Sequence, residues 1–568
     1  MKKPIVLLLI ISLSTLLSAQ VSEGGIPPSF DAVEAKIQRS ERIYDIRLTA
    51  DINKLKQEDA LVTDKNIPSR VAVIVPVNKD LARDGEWQTL ESGETICRLT
   101  LKSEGAKGIV LYYSKFRIPY GGKLFIYDKD QIQLLGAYTH RTNPRGAEFV
   151  TEMVYGDELV LEYVAPSTDK PEKPQIVVSD LAHAYNHIED NIYAKALPDS
   201  TGFRASGSCQ VNINCPEGNS WQVQKKGVAR TYTKIGTFMY RCSGTLINNT
   251  NNDKRAFFLS AYHCFYQGRY TADFNTILFY FNYEFPGCTN GVYTPTETKT
   301  LVGAQLRVAS PIDGGSDGAL LELLNPIPDD YDVYFNGWDI TNTPSPNGVC
   351  IHHPQGDVKK VSTYTTATTT GTYSDTDDTS IANAHWVITF SQTTNGHGTT
   401  EGGSSGSPLF NKNGLLIGSL TGGSSGCTNR AGEDYFGKIF YHYDQHPNTT
   451  YHMKPYLNPS GETVTTLPGR HNYDIPPVVG EDLKPVFAYW DPLEGYHLTL
   501  RVRVRDAENE ISRIRIVNFR GYTILDKNGK FDLDLEGIIK IDTTGWPRGL
   551  YILIADTKDG RFSFKLIK

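Results

Sequence analysis

From residue 205 to about 460 the sequence breaks every few residues into short apolar or aromatic runs with turn residues between them. "AFFLSAY", "TILFYFNY", "GALLELL", "HWVITF", "GLLIGSL" and "YFGKIFYHY" are examples. Almost none of this stretch shows the spacing of an amphipathic helix. Runs this short can bury an apolar face only by pairing with neighbours, which leaves a β-sandwich or a barrel. Seven of the eight cysteines, Cys209, Cys215, Cys242, Cys264, Cys288, Cys350 and Cys427, fall inside it, and only Cys97 lies outside. The stretch therefore reads as a disulfide-bearing β domain distinct from its flanks. The count alone leaves the pairing open, and the lack of any C-x-x-C argues against a zinc ribbon.

Disulfides need an oxidising compartment, and the N-terminus supplies the route. Lys2 and Lys3 precede an apolar run at residues 5–17, and Leu17, Ser18 and Ala19 fit a small-residue cleavage site after Ala19. Residues 1–19 are thus expected to be a signal peptide. No second run reaches the roughly 18 apolar residues that a membrane span needs, so the exported chain is expected to lack a transmembrane segment. At 568 residues the chain is too long for one ordinary domain. Its net charge of −7 argues against a nucleic-acid partner, which would call for a basic excess.

The flanks are also β-rich, and the whole chain is expected to be all-β. "GIVLYYSKF", "GGKLFIYDKD" and "DELVLEYVAP" predict a β-sandwich over about 94–166. Residues 167–204 read as a polar connector with a helix around 181–192. Residues 461–484, rich in Pro, Gly and Thr, read as a linker. Residues 485–568 alternate well in "YHLTLRVRVRD" and "ISRIRIVNF" and end in a hairpin with Asp-Gly at the turn.

Three local patterns carry chemistry. An apolar strand ends at His263 and Cys264, Asp317 precedes the run "GALLEL", and Ser405 centres the turn "GGSSGSP". A serine hydroxyl needs an adjacent base to become a nucleophile. An imidazole suits that role, and a carboxylate can fix its tautomer. The turn must also aim backbone N–H groups at a developing oxyanion, for which Gly403 and Ser405 are the candidates. Singly each pattern is commonplace. Their order, with gaps of 54 and 88 residues inside one disulfide-bearing β stretch, matches a His-Asp-Ser protease.

Three other readings compete. "GGSSG" formally fits an α/β-hydrolase elbow with Ser404 as nucleophile and Asp444 and His446 downstream, although the helices of that fold are missing. His352, His353, His442, Asp444 and His446 are candidate metal ligands, but neighbouring histidines on a strand point to opposite faces. His352 and His353 are more simply structural. A secreted, non-catalytic surface adhesin is the third reading.

Longer pieces of residues 205–460 resemble the bacterial lysyl endopeptidases, a chymotrypsin-like family. They include "SGSCQVNINCPEG", "CSGTLINNTNNDKRAFFLSAYHC", "SDGALLEL", "FNGWD", "IHHPQGDVKKVS", "EGGSSGSPLF" and "EDYFGK". The resemblance implies a double β-barrel with His263, Asp317 and Ser405 as base, orienting acid and nucleophile. It also implies the disulfides Cys209–Cys427, Cys215–Cys288 and Cys242–Cys264. Cys97 and Cys350 have no family partner, and Cys350, in apolar surroundings, is expected to be a buried thiol. Asp434 is implied as the anion of a pocket for a cationic P1 side chain, lined also by Gly422, Thr421 and Tyr373. The family links strict Lys preference to a Trp and a His, where this chain has Tyr373 and Thr421, so acceptance of Arg stays open.

Residues 20–204 resemble a propeptide of these enzymes, with the processing cut after Arg204 or after Lys195. "GWPRGLYILIADTKDGRFSFKLIK" resembles a C-terminal sorting domain of type IX secretion. The expectation is a monomeric secreted or surface endopeptidase of a Gram-negative bacterium, made as a zymogen. It would act on proteins or peptides after Lys, with acceptance of Arg left open, engage the type IX machinery, and use no cofactor and no metal.

Overall fold

In the computed structural model the described residues are 22, 24–30, 42–62, 65–90, 93–166, 168, 172–186, 205–285, 287–288, 298–328, 331–375 and 377–472; towards the C-terminus they are 486–490, 499–504, 511–518, 522–529, 531, 538–546, 550–557 and 560–567. The processing candidates Ala19, Lys195 and Arg204 lie outside them. The chain divides into two compact units, 1–472 and 473–568. Strands dominate both, as an all-β reading requires. Among the described residues no helix is long and apolar enough to cross a membrane.

Two antiparallel strand systems form the centre of the first unit. One takes Val228–Ile235, Phe238–Leu246, Phe257–Ala261, Leu278–Phe281, Lys299–Val302, Ala304–Ala309 and Gly318–Leu323 around an apolar core rich in Phe258, Phe265, Phe279, Phe281 and Leu321. The other is a ten-stranded sheet containing Gly348–His352, Lys360–Tyr364, His385–Ile388, Pro408–Asn411, Leu416–Gly423 and Asp434–Lys438. Its buried Trp338, Trp386, Phe410 and Phe436 fill the second interior. Each strand is short, and each buries side chains only with its paired neighbours in place.

The N-terminal region is not a separate body. Its six-stranded sheet includes Thr95–Lys102, Glu158–Val164 and Lys123–Asp128. Its other sheet runs directly into the first barrel. Ser69–Asp80 pairs on one side with Gln175–Ala184 and on the other with residues 238–241. One apolar core therefore joins Val71, Leu111, Leu161 and Leu181 of this region to Tyr232, Met239, Leu278 and Tyr280 of the barrel.

The helix expected around 181–192 is corrected. Residues up to 184 belong to the strand Gln175–Ala184, which also pairs with Gly108–Arg117. It is a central strand, and ladder pairing on both edges outweighs any local helical preference. Residues 187–192 lie outside those described. The expected linker at 461–484 is also shortened. Thr466–Leu467 pairs with Trp338–Asp339, and Arg470–His471 pairs with Tyr334–Phe335, so residues up to 472 are part of the first unit.

The three disulfides are Cys209–Cys427, Cys215–Cys288 and Cys242–Cys264. Cys97 and Cys350 are buried thiols. In the second unit, Val486–Trp490, Thr499–Val504 and Ile538–Asp542 form one sheet. Thr523–Asn528, Ile511–Asn518, Leu550–Thr557 and Gly560–Ile567 form another. The terminal hairpin pairs Thr557 with Gly560.

Candidate active site

Strand register brings the first two candidate residues together. Phe257–Ala261 pairs antiparallel with Gly318–Leu323, with Ala261 opposite Gly318. His263 lies just past one strand end and Asp317 just before the other. A single 3-10 turn, Tyr262–Cys264, lifts His263 out of the strand, and the Cys242–Cys264 bond pins that turn to the neighbouring strand. Asp317 is fully buried, and its backbone takes φ +60°, a conformation Asp tolerates better than most residues. Its Oδ2 lies 2.8 Å from His263 Nδ1, and its Oδ1 accepts the His263 backbone N–H at 3.1 Å. Two contacts from one carboxylate fix both the position and the ring plane of the imidazole. The Nδ1 proton goes to the carboxylate, which leaves Nε2 as an acceptor. Nε2 is buried without a hydrogen-bond partner.

His442, from the "HYDQH" run, stands behind this pair. Its Nδ1 is 2.9 Å from Ser316 Oγ and its Nε2 is 3.3 Å from Ser419 Oγ. A Cβ on Gly318 would come within 2.5 Å of its ring. Burial pushes its pKa down to about 4, so it is neutral. His446 Nε2 meets the carbonyl of Gly314 at 3.0 Å. The only metal-like grouping among the described residues is Cys242, His263 and Cys264. Its two sulfurs are bonded to each other and its imidazole faces Asp317, so it offers no ligand set.

Ser405 sits on a turn held by both barrels. Its carbonyl accepts the Ser243 N–H at 2.9 Å, and the Gly406 N–H reaches Leu420 O at 2.8 Å. Gly406, at φ +77°, is where the chains cross: a Cβ there would lie 2.2 Å from Ser260 Oγ. Gly403 takes φ +92°, a backbone form a side chain would strain. Among the described residues the N–H groups of Gly403 and Ser405 make no hydrogen bond, so both are available to an oxyanion. Ser404, the nucleophile of the elbow reading, is fully buried. His352 Nδ1 lies 2.7 Å from its hydroxyl, and the Glu401 N–H donates to that hydroxyl at 3.1 Å. His352 Nε2 is 3.0 Å from Ser362 Oγ, and burial pushes its pKa down to about 3. Ser404 is thus a brace for the turn. His353 faces the other way, onto Asp357 O.

The predicted pocket anion, Asp434, is fully buried at the start of its strand. Ser425 donates its N–H to Oδ1 at 3.1 Å and its hydroxyl to Oδ2 at 2.7 Å, and the Thr400 hydroxyl also donates to Oδ2. A lysine reaches this cluster. Lys65 Nζ donates to Thr400 Oγ1 at 2.7 Å, Ser425 Oγ at 3.0 Å and Asp434 Oδ1 at 3.0 Å. The three N–H donors of an ammonium meet three acceptors. At its other end the Lys65 carbonyl accepts from Ser405 Oγ at 2.9 Å.

Tyr373 stands over Gly422, where an added Cβ would approach its hydroxyl to 3.0 Å. Its ring lies 5.9 Å from that of His385. Thr421 turns its hydroxyl to His385 Nε2 at 3.0 Å. An imidazole therefore does stand beside these positions, contributed by the strand His385–Ile388. Burial pushes its pKa down to about 3.

Sequence reasoning missed Lys65, Thr400, Ser425 and His385. The hydroxyl residues lie in ordinary Thr/Ser-rich loops, and Lys65 lies in a region read only as part of a propeptide-like segment. No spacing rule singles any of them out.

Comparison with known proteins finds likenesses to proteases in the central region. Residues 203–437, which contain His263, Asp317, Ser405 and Asp434, match the family "Lysyl endopeptidase, C-terminal domain". A lysyl endopeptidase of Pseudomonas aeruginosa is 30% identical over 307 residues, covering 52% of this chain and 61% of that protein. The chain thus spans less than two thirds of that relative's length. Among solved structures, a Glu endopeptidase in complex with MPD matches 41% of this chain and 94% of its own, with 16% identity and a TM-score of 0.27. The protease Anisep from Arthrobacter nicotinovorans matches 38% of this chain and 90% of its own, with 19% identity and a TM-score of 0.26.

Proposed function

We propose that this chain is a secreted serine endopeptidase, made as a zymogen, that hydrolyses peptide bonds after lysine. One observation carries the reading. A single lysine residue reaches from Ser405 to Asp434, its backbone carbonyl accepting from the Ser405 hydroxyl and its ammonium meeting the buried Asp434 carboxylate, so nucleophile and anion stand one lysyl residue apart. The family match over residues 203–437 and the relative in Pseudomonas aeruginosa support it.

In this reading Ser405 Oγ attacks the scissile carbonyl and passes its proton to His263 Nε2. Asp317 holds the Nδ1–H and stabilises the imidazolium that forms. The amides of Gly403 and Ser405 take the developing oxyanion. His263 then protonates the leaving amine, and the acyl-enzyme remains. A water attacks it, again giving its proton to His263. The new carboxylate departs and Ser405 recovers its proton.

Lysine is preferred over arginine because the cluster offers three acceptors around one point. An ammonium matches that arrangement, whereas a planar guanidinium carries five N–H groups on a wider head. Residues 20–204 are the inhibitory pro-region, cut after Arg204 or Lys195. The start of the enzyme proper is already docked, since the Gly207 N–H donates to Glu401 Oε1 at 3.0 Å and Cys209 is bonded to Cys427. Processing there calls for no new fold. The unit at 473–568 serves type IX sorting, with the signal peptide giving entry to the periplasm.

The test is a peptide-library digest by the processed enzyme, mapped by mass spectrometry beside Ser405→Ala and Asp434→Asn. Cuts confined to Lys-X bonds and lost in both variants are expected. Cleavage that survives Ser405→Ala would sink the proposal, and equal cutting after Lys and Arg would remove its specificity.

A further inference from the structure

Lys65 is not a bound substrate but part of the same chain, and its setting differs from that of a residue about to be cut. We propose that residues 65–69 are an intramolecular pseudo-substrate strap that silences the enzyme by holding Lys65 in its own specificity pocket. The proposal rests on the endopeptidase reading above and names how that site is regulated.

Three observations separate a strap from a substrate. The first is where the nucleophile's proton points. The Ser405 hydroxyl donates to the carbonyl of Lys65, while His263 Nε2, the atom that must accept that proton, is buried and unpartnered. The lysine carbonyl thus takes the serine away from its base. The second is the oxyanion site. The Gly403 and Ser405 amides make no hydrogen bond to the Lys65 carbonyl, so nothing polarises it for attack.

The third is anchorage. Downstream, Ser69 pairs with Arg241, and the strand it begins is laddered on both sides. The side chain of Asn66 is bonded to Asp375. The two flanks of the strap are also tied together. Arg70 Nε donates to Asp59 Oδ1 at 2.6 Å, and Asp59 Oδ2 accepts from Tyr185 Oη at 2.9 Å and from Asn186 Nδ2 at 3.0 Å. Even if the bond after Lys65 were cut, the new amine would stay beside the acyl group, where reclosure competes with hydrolysis. Lys65 itself is 9% exposed, and Asp434 is not exposed at all. A tethered lysine with all three N–H groups satisfied competes with free substrate at the high effective concentration of an intramolecular ligand.

The experiment uses the full chain carrying Lys195→Gln and Arg204→Gln, so that the N-terminal region stays attached. Three versions are compared: this chain alone, with Lys65→Met and with Lys65→Arg. The readout is the rate at which an uncharged alkyl fluorophosphonate labels Ser405, followed by intact mass, with Ser405→Ala as blank. The attached chain is expected to label slowly. Lys65→Met, which keeps the stem and loses the ammonium, is expected to label at least about tenfold faster, and Lys65→Arg to fall between. Each Lys65 variant is also made with the processing sites intact. Its processed product lacks residue 65, so a normal rate from that product reports a correctly folded enzyme. Labelling of the attached Lys65→Met chain within twofold of its parent, together with a normal rate from its processed product, overturns the strap. A processed parent enzyme that neither labels nor cuts Lys-X bonds overturns the endopeptidase reading, and the strap falls with it.

Discussion

The two halves of the cleft are built from the same kind of short antiparallel strand, but they are completed differently. The half that carries His263 and Asp317 leaves one stretch of sheet edge, residues 238–241, to be paired by Ser69–Asp80 of the N-terminal region, and it shares an apolar core with that region. The half that carries Ser405 and Asp434 is closed within its own ten-stranded sheet. In place of a borrowed strand it uses hydroxyl–imidazole contacts: His352 with Ser404 and Ser362, and His385 with Thr421. On the proposed reading, specificity and nucleophile belong to a self-sufficient half, while the base and its acid sit in a half that is finished by the segment proposed to block it. Both functions of that segment, pairing the edge and filling the pocket, come from one continuous stretch around Lys65 and Ser69.

The largest effect is expected on the base side. Asp317→Asn keeps the shape of the side chain but offers His263 Nδ1 an amide in place of a carboxylate. It should lower kcat by about four orders of magnitude with little change in KM, as expected when the tautomer of the base is lost. Single-turnover kinetics on a lysyl ester would decide it. A loss of less than tenfold would mean that the two halves do not divide the chemistry in this way.

A middle-sized effect distinguishes the halves by acid. Burial, the first cause in each case, pushes His352 and His385 down to about 3 and His442 down to about 4. These values lie below the unfolded value near 6.5, so the unfolded chain binds more protons between about pH 6.5 and pH 4. Stability contributed by the neutral forms is intact above that window and falls as the pH drops through it, by about 1.4 kcal/mol per pH unit for each histidine. Urea midpoints of the processed enzyme at pH 7 and pH 5 should differ accordingly. Hydrogen exchange should show the second half opening first. Equal loss of protection in both halves would count against the contrast.

The smallest effect concerns the borrowed edge. If cleavage removes the N-terminal region as proposed, the outward-facing groups of residues 238–241 lose their ladder partner. Amide exchange there should be faster in the processed enzyme than in the full chain by about the factor that one local hydrogen bond of roughly 1 kcal/mol confers. Exchange in Leu416–Gly423 should not change. Unchanged protection at 238–241 would mean that something other than Ser69–Asp80 covers the edge.

The positions of His263, Asp317 and Ser405 could be read in the sequence because each lies at a strand end or turn, where pattern and punctuation are local. Asp434 and the three disulfide pairs came from longer family-like motifs rather than from any rule of spacing. The end of the strand at 175–184 was read as helical because its helical look is local, whereas the ladders on its two edges come from residues roughly 60 to 75 positions away in one case and about a hundred in the other. The sequence by itself determined the all-β class, the disulfide-bearing core and the candidate nucleophile, base and acid, since these follow from short-range periodicity and from residue chemistry. Only the tertiary structure decided what surrounds Asp434 and what fills the pocket. Lys65 meets Thr400, Ser425 and Asp434 across separations of 335, 360 and 369 residues. A hydroxyl becomes a ligand for an ammonium only when folding removes water and brings the two together, and no pattern along the chain records that event.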